Sequence, residues 1–383
     1  MSRIRNALLA ALVCVALGSS APPVASVEVS CDALCERVRG ELEVFTDWLA
    51  TYGALGYIGE VGWPDDVLGD GARWNALADA WYRDADAAGL PVTAWATGEW
   101  WGTSYNLGIY EDRLSGLGID TLNLQAAVVE AHPTTWRYRR GTNVAGAEFG
   151  APVNASTSTF SNKNPGTEGT AYHYDTQASF DFLASRGIKI VRIPFRWERI
   201  QPRLRQALDS AELARLRGVV GRAKTAGLEV VLDMHNYAGY YLYDGTKGVR
   251  RALGSNKVGK AEFVDVWRRL SAAFKGDAGV YAYGLMNEPT GMAAAAGLSP
   301  ARRWEIISQA AVDAIRNSGD TKTVMVAGYN WSGVQQWTSQ HPKPWITSRK
   351  GAIRYEAHHY WDRDNSGDYP DTYDAEVAYA TNR

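Results

Sequence analysis

The chain has 383 residues, a formal net charge of −2 and 46% hydrophobic residues. That length suits one large barrel or two ordinary domains, and the charge balance argues against nucleic acid or an anionic membrane as partner, since either favours a basic face. The 15 Trp and 20 Tyr exceed what a core of this size usually takes up, and flat apolar faces with a polar handle suit stacking on sugar rings or interfaces.

Met1 to Arg5, followed by the apolar run Ala7 to Leu17, has the charged, apolar and small-residue order of a secretory signal peptide. Cleavage near Ala25 or Ser26 is expected, giving a signal over residues 1–26 and a secreted, extracellular product. The run is short for a bilayer span and no later stretch is long enough, so the mature chain is expected to be soluble and monomeric. Cys14 leaves with the signal. Cys31 and Cys35 either pair in an oxidising compartment or remain free thiols, because a regular helix would strain the bridge. No other cysteine exists to complete a metal site with them.

Residues 32–52 carry apolar positions at helical spacing, and Gly56 to Pro64 reads as a glycine-rich strand with Glu60 near its end. An alanine-rich helix over 74–88 stops at Gly89, and the strand Pro91 to Thr97 leads to Glu99-Trp100-Trp101. The middle repeats this logic: a strand from Asn143 to Phe149, a polar loop to about 168, a helix near 175–185 and a strand over 188–194. A helix over 209–226, the apolar strand Leu228 to His235, a helix over 261–275 and the stretch Tyr281 to Pro289 follow. A helix over 300–317 and the strands Thr323 to Ala327 and Ala352 to Tyr360 complete the series. Eight strands alternating mostly with helices predict a parallel sheet, and eight units are what a closed α/β (β/α)₈ TIM barrel requires. An open doubly wound sheet is the alternative, but no Gly-x-Gly-x-x-Gly turn or lysine-bearing phosphate loop follows any strand.

Asn287-Glu288-Pro289 ends a strand with a carboxylate on the rim of the sheet, where a reaction could use it. Equally, a glutamate there can simply cap a strand beside a proline that stops pairing. Set beside Asn143 to Gly150, Val191 to Trp197, Asp233 to Tyr237, Val326 to Trp331 and Glu356 to Trp361, this strand end resembles those of glycoside hydrolase family 5, the cellulases and related β-glycanases. The order matches that family's first six barrel strands. The family's seventh strand, bearing the nucleophile, and its eighth, bearing a stacking tryptophan, do not follow Tyr360. Gly56 to Pro64 and Pro91 to Trp101 resemble them instead, which implies a circular permutation that moves strands 7 and 8 to the front. One catalytic barrel is then expected over 27–383, with family strands 7–8 in 27–133, a junction at 134–142 and family strands 1–6 in 143–383. The other reading is a truncated barrel with an unrelated N-terminal domain.

Retaining hydrolysis of a glycosidic bond needs an acid to protonate the leaving oxygen and a carboxylate about 5–5.5 Å away to attack the sugar carbon. The resemblance implies Glu288 as acid/base and Glu60 as nucleophile. It also implies a sugar-binding role for His235, Asn287 and His358, with Tyr360 near the nucleophile and Arg192 balancing a carboxylate. Trp95 resembles the tryptophan that floors the subsite, and Trp331 is a stacking candidate for a neighbouring one. Glu356, Glu148 and Glu99 are competing carboxylates, with Glu356 expected deeper in the barrel; Trp100 and Trp101 are as readily structural. Asp233, His235, Glu288 and His358 could ligate a metal, but no His-x-His or His-Glu-x-x-His pair is present, so no cofactor or metal is expected. The implied function is endo-β-1,4-glucanase action on a polysaccharide or oligosaccharide. β-Mannanase and exo-β-glucosidase activities fall within the same resemblance, and a non-catalytic carbohydrate-binding barrel is the alternative from another class.

Overall fold

Eight strands follow one another in the computed structural model, which describes residues 31–102, 105–114 and 116–383. They are β1 (Gly56–Gly62), β2 (Val92–Gly98), β3 (Arg140–Val144), β4 (Ile190–Phe195), β5 (Glu229–Met234), β6 (Val280–Gly284), β7 (Thr323–Ala327) and β8 (Ile353–Tyr360). Each pairs in parallel with the next, and β8 returns to pair with β1, so the sheet closes into a (β/α)₈ TIM barrel. The expected signal peptide, residues 1–26, lies outside the described residues.

The longer helices are α1 (Ala33–Tyr52), α2 (Gly71–Ala87), α3 (Ala126–Ala131), α4 (Gln177–Ser185), α5 (Ser210–Thr225), α6 (Lys260–Phe274), α7 (Pro300–Asn317) and α8 (Tyr373–Thr381). Local chemistry explains their ends. Asp32 caps α1 by accepting the Cys35 N–H at 3.0 Å, and Gly53 closes it with a φ of 59° that glycine tolerates without strain. Leu34, Val38, Leu42, Phe45, Trp48 and Leu49 recur at helical spacing and are all buried, with Phe45 edge-on to Trp337 at 4.7 Å. Cys31 and Cys35 form a disulfide with Cα atoms 5.3 Å apart. Because Cys31 precedes the cap, the bridge spans the helix entrance, and the strain expected within a regular helix does not arise.

Side chains alternate across each strand, and this sorts the barrel interior into layers. At the bottom Tyr57, Ile190, Val231, Ala282 and Met325 make a closed apolar plug. Two residues further along β4 and β5, the same face carries Arg192 and Asp233, both fully buried. On β8 the inward series Glu356, His358, Tyr360 climbs to the rim by the same period. In β1 the pairing register slips between Ile58 and Glu60, leaving Gly59 as an extra residue. Without that bulge, the alternation that points Tyr57 inward would point Glu60 outward; with it, Glu60 faces the mouth and Val61 joins the outer core. Gly59 also lacks room for a side chain, since a Cβ there would sit 2.2 Å from Glu356 Oε1.

Two expectations need correction. The strand expected over 143–149 is β3, Arg140–Val144, which begins inside the stretch expected as a junction. The chain then turns at Gly146, whose φ of 146° ends the strand and whose N–H binds the Glu148 carboxylate at 2.9 Å. The polar loop to 168 also contributes Thr157–Ser158 to an antiparallel sheet with Gly239–Tyr243 and Gly248–Ala252. The Thr157–Ser158 strand pairs with Gly248 and Val249, about 90 residues away, so local pattern does not reveal it.

Candidate active site

Carboxyl ends of the strands surround a cleft of ≈ 500 Å³ lined by Glu60, Trp95, His235, Glu288, His358 and Tyr360, among others. A carboxylate oxygen of Glu60 and one of Glu288 lie within 4.8 Å of each other and of a ring nitrogen of His358. Both oxygens of Glu60 are acceptors: Arg192 Nη1 donates to Oε1 at 2.9 Å and the Tyr360 hydroxyl donates to Oε2 at 2.8 Å. Glu288 instead meets His358, with Nδ1 2.8 Å from its Oε1, and its backbone φ of 42° is left-handed, a conformation that costs energy for a non-glycine residue.

Arg192 is the hub beneath this pair. Nη1 also donates to Asn143 Oδ1 at 2.8 Å, and Nη2 reaches Asn287 Oδ1 at 2.6 Å, Glu356 Oε1 at 3.0 Å and Asp233 Oδ1 at 3.1 Å. Burial opposes its charge, but Asp233, Glu356 and Glu60 outweigh that and hold the guanidinium well above its ordinary range. Asp233 is pushed up to about 7 by burial, against the pull of Arg192. Glu356 falls below the usual carboxylate range because Arg192 and His358 outweigh its burial.

His358 sits between carboxylates on both sides. Burial lowers its affinity for a proton, yet Glu60, Glu288 and Glu356 raise it to about 10. Glu288 is raised above the usual range, first by burial and then by the charge of Glu60, against the His358 hydrogen bond. His235 is the opposite case: burial holds it well below its ordinary value, giving a neutral ring that donates through Nδ1 to Asp233 at 2.8 Å and accepts at Nε2, 3.0 Å from the Tyr237 hydroxyl and 3.2 Å from Asn287 Nδ2. Trp95 stacks on this ring at 5.7 Å and donates its indole N–H to Tyr105 at 2.6 Å.

Each residue expected at the site lies in this assembly: Arg192, His235, Asn287, His358 and Tyr360 by the bonds above, Trp95 on the floor, and Trp331 on the cleft wall with 46% of its surface exposed. Glu356 is deep, beneath His358. Glu148 and Glu99 are turned to other partners, Glu148 at the Gly146 turn and Glu99 toward His173. Trp101 stacks on Tyr105 at 3.7 Å and Trp100 on His173 at 5.1 Å. Sequence reasoning did not pick out Tyr105, Tyr237 or Asn143. Asn143 and Tyr237 lie within strand ends that carry the resemblance, though neither was singled out; Tyr105 carries no signal among 20 tyrosines. Glu60, Glu288 and His358 each bring a ligand atom within 4.8 Å of the others, and two of these groups are already joined by the His358–Glu288 hydrogen bond.

The family model for cellulase (glycosyl hydrolase family 5) matches residues 147–382. The chain belongs to this family. Endoglucanase gh5-1 of Neurospora crassa is 30% identical over 230 residues, 59% of this chain and 51% of that protein. Probable endo-beta-1,4-glucanase B of Aspergillus oryzae is 30% identical over 59% of this chain and 60% of its own length. The crystal structure of Pseudomonas stutzeri endoglucanase Cel5A with cellobiose superposes with a TM-score of 0.50 at 36% identity, covering 59% of this chain and 61% of that one. The chain thus spans about half to three fifths of the length of these three relatives.

Proposed function

We propose that this family 5 barrel is a secreted, retaining endo-β-1,4-glucanase. The observation that carries the reading is the facing pair Glu60 and Glu288, with oxygens within 4.8 Å across the cleft, near the separation of about 5–5.5 Å that lets one carboxylate attack the sugar carbon directly. In the first step Glu60, held by Arg192 and Tyr360, attacks the anomeric carbon while Glu288 protonates the leaving oxygen. In the second, Glu288 takes a proton from water and the water releases the sugar from Glu60. Asn287, oriented by Arg192 and His235, is aimed at the hydroxyl beside the bond being broken, and Trp95 stacks under the ring. The relatives it resembles, endoglucanases and an endo-beta-1,4-glucanase, favour β-1,4-glucan over other β-glycans.

Following cellohexaose hydrolysis by ¹H NMR tests this directly. New reducing ends in the β configuration are expected before mutarotation, and α ends appearing first would refute the double displacement. Among the described residues no helix is long and apolar enough to cross a membrane; export is tested by whether the full-length chain is secreted and begins near Ser26.

Circular permutation belongs to the same reading. Two features support it: β1 and β2 fill the places between β8 and β3, and comparisons made along the chain follow only about three fifths of either partner. Tyr373 in α8 lies 3.5 Å from Asp32 at the start of α1, so a short linker can join these ends. A gene re-ordered to place residues 31–133 after 383 is expected to yield a folded, active enzyme; one that folds but lacks activity would overturn the permutation.

A further inference from the structure

Glu99 follows β2 directly, yet its side chain leaves the cleft. Its Oε2 lies 2.8 Å from Nε2 of His173, whose Nδ1 lies 3.2 Å from Glu168. Asp175 completes the group: Glu99, His173 and Asp175 each bring a ligand atom within 4.8 Å of the others. Only 2% of Asp175 is exposed, and its Oδ2 has no hydrogen-bond partner among the described residues. Oδ1 has a single, long contact, 3.5 Å to the Glu99 N–H.

Charge is unbalanced here. Among the described residues no Lys or Arg forms an ion pair with Glu99, Glu168 or Asp175, so three carboxylates share one imidazole. A buried carboxylate without a partner is unfavourable and either takes up a proton or acquires a cation.

We propose that Glu99, His173 and Asp175 form a binding site for a divalent first-row transition cation, Zn²⁺ fitting best, outside the catalytic cleft. One imidazole with two carboxylates is a zinc-type donor set, with water left to fill the fourth position. Calcium and magnesium, which take oxygen ligands, gain nothing from the ring. Glu168 already reaches the second nitrogen of His173, as an outer carboxylate that fixes a ligating ring does elsewhere. The cation would tie the loop after β2 to the entrance of α4, since Glu99 Oε1 also accepts the Thr176 N–H at 2.7 Å. Trp100 covers His173, and its neighbour Trp101 packs on Tyr105, the partner of Trp95. The site therefore braces the loop behind the cleft floor.

The test is calorimetric titration of chelator-treated, full-length protein with ZnCl₂, and with CaCl₂ for contrast. One saturable Zn²⁺ per chain is expected, retained in Glu60→Gln and weakened at least about tenfold in Asp175→Asn and His173→Gln, the loss found even for an outer partner of a ligating imidazole. Anomalous diffraction from Zn²⁺-soaked native crystals gives a readout independent of variant folding, with a peak expected between His173 and Asp175. No saturable binding, binding unchanged in both variants, Ca²⁺ held as tightly as Zn²⁺, or a peak at Glu60 and Glu288 instead would each overturn the proposal.

Discussion

Two clusters in this barrel are made from the same parts, three carboxylates around an imidazole, and they differ in what lies beside them. In the cleft, Glu60, Glu288 and Glu356 surround His358 while Arg192 reaches Glu60 and Glu356 from below. Behind the cleft, Glu99, Glu168 and Asp175 gather about His173 with no arginine. A guanidinium is a fixed charge that lets neighbouring carboxylates be arranged for separate tasks, here one accepting hydrogen bonds and one raised toward its acid form. Without it, the second cluster has only protons or a bound cation to balance it.

The comparison is broken most sharply at the proposed reacting pair. Glu60→Gln is expected to lower kcat on cellohexaose by on the order of 10⁴-fold or more, the scale at which groups acting as a unit fail. Glu288→Gln should lose about 10²–10⁴-fold, much less on a substrate whose aryl leaving group needs no proton. Since Glu288 is raised above the carboxylate range, it stays protonated where an ordinary carboxyl ionises. Native kcat/KM then falls as pH rises through that raised value, and the Gln variant should lose this basic limb.

Removing the balancing charge comes next. Arg192→Met leaves Glu60, Glu356 and Asp233 buried together without their cation, and urea unfolding is expected to show a loss of about 3–5 kcal/mol. If stability is unchanged, the cleft is not balanced by Arg192 and the contrast with the second cluster disappears.

Asp175→Asn is the smallest effect and has the opposite sign. A carboxyl raised in the folded state contributes stability below its unfolded pKa and loses it as pH rises through the raised value. In metal-free protein the Asn variant should therefore have the higher Tm at neutral pH, by a margin that narrows toward acid. Thermal scans at several pH values check this.

Much of this was legible in the chain because strand ends are short and their polar residues stand out after apolar runs, as with Glu288 after Gly284-Leu285-Met286. Helix limits followed caps such as Asp32 and Ser299. What was not legible depends on distant pairing. The bulge at Gly59 that turns Glu60 inward exists only against β8. Glu99 and Asp175 are 76 residues apart in sequence, and Glu99 carries the same meaning in a sequence whether it faces a sugar or a histidine. The early end of β3 follows from a glycine conformation that nothing in Asn143 to Phe149 distinguishes from a strand.

The hydrogen bond from Tyr360 to Glu60 joins residues 300 positions apart. On a ribosome, then, the strand carrying the proposed nucleophile is among the first made, and its inward register and its Tyr360 partner must wait for β8, the last. Contacts this remote close slowly, so β1 keeps an open sheet edge until β8 has been made, and the cleft is completed late.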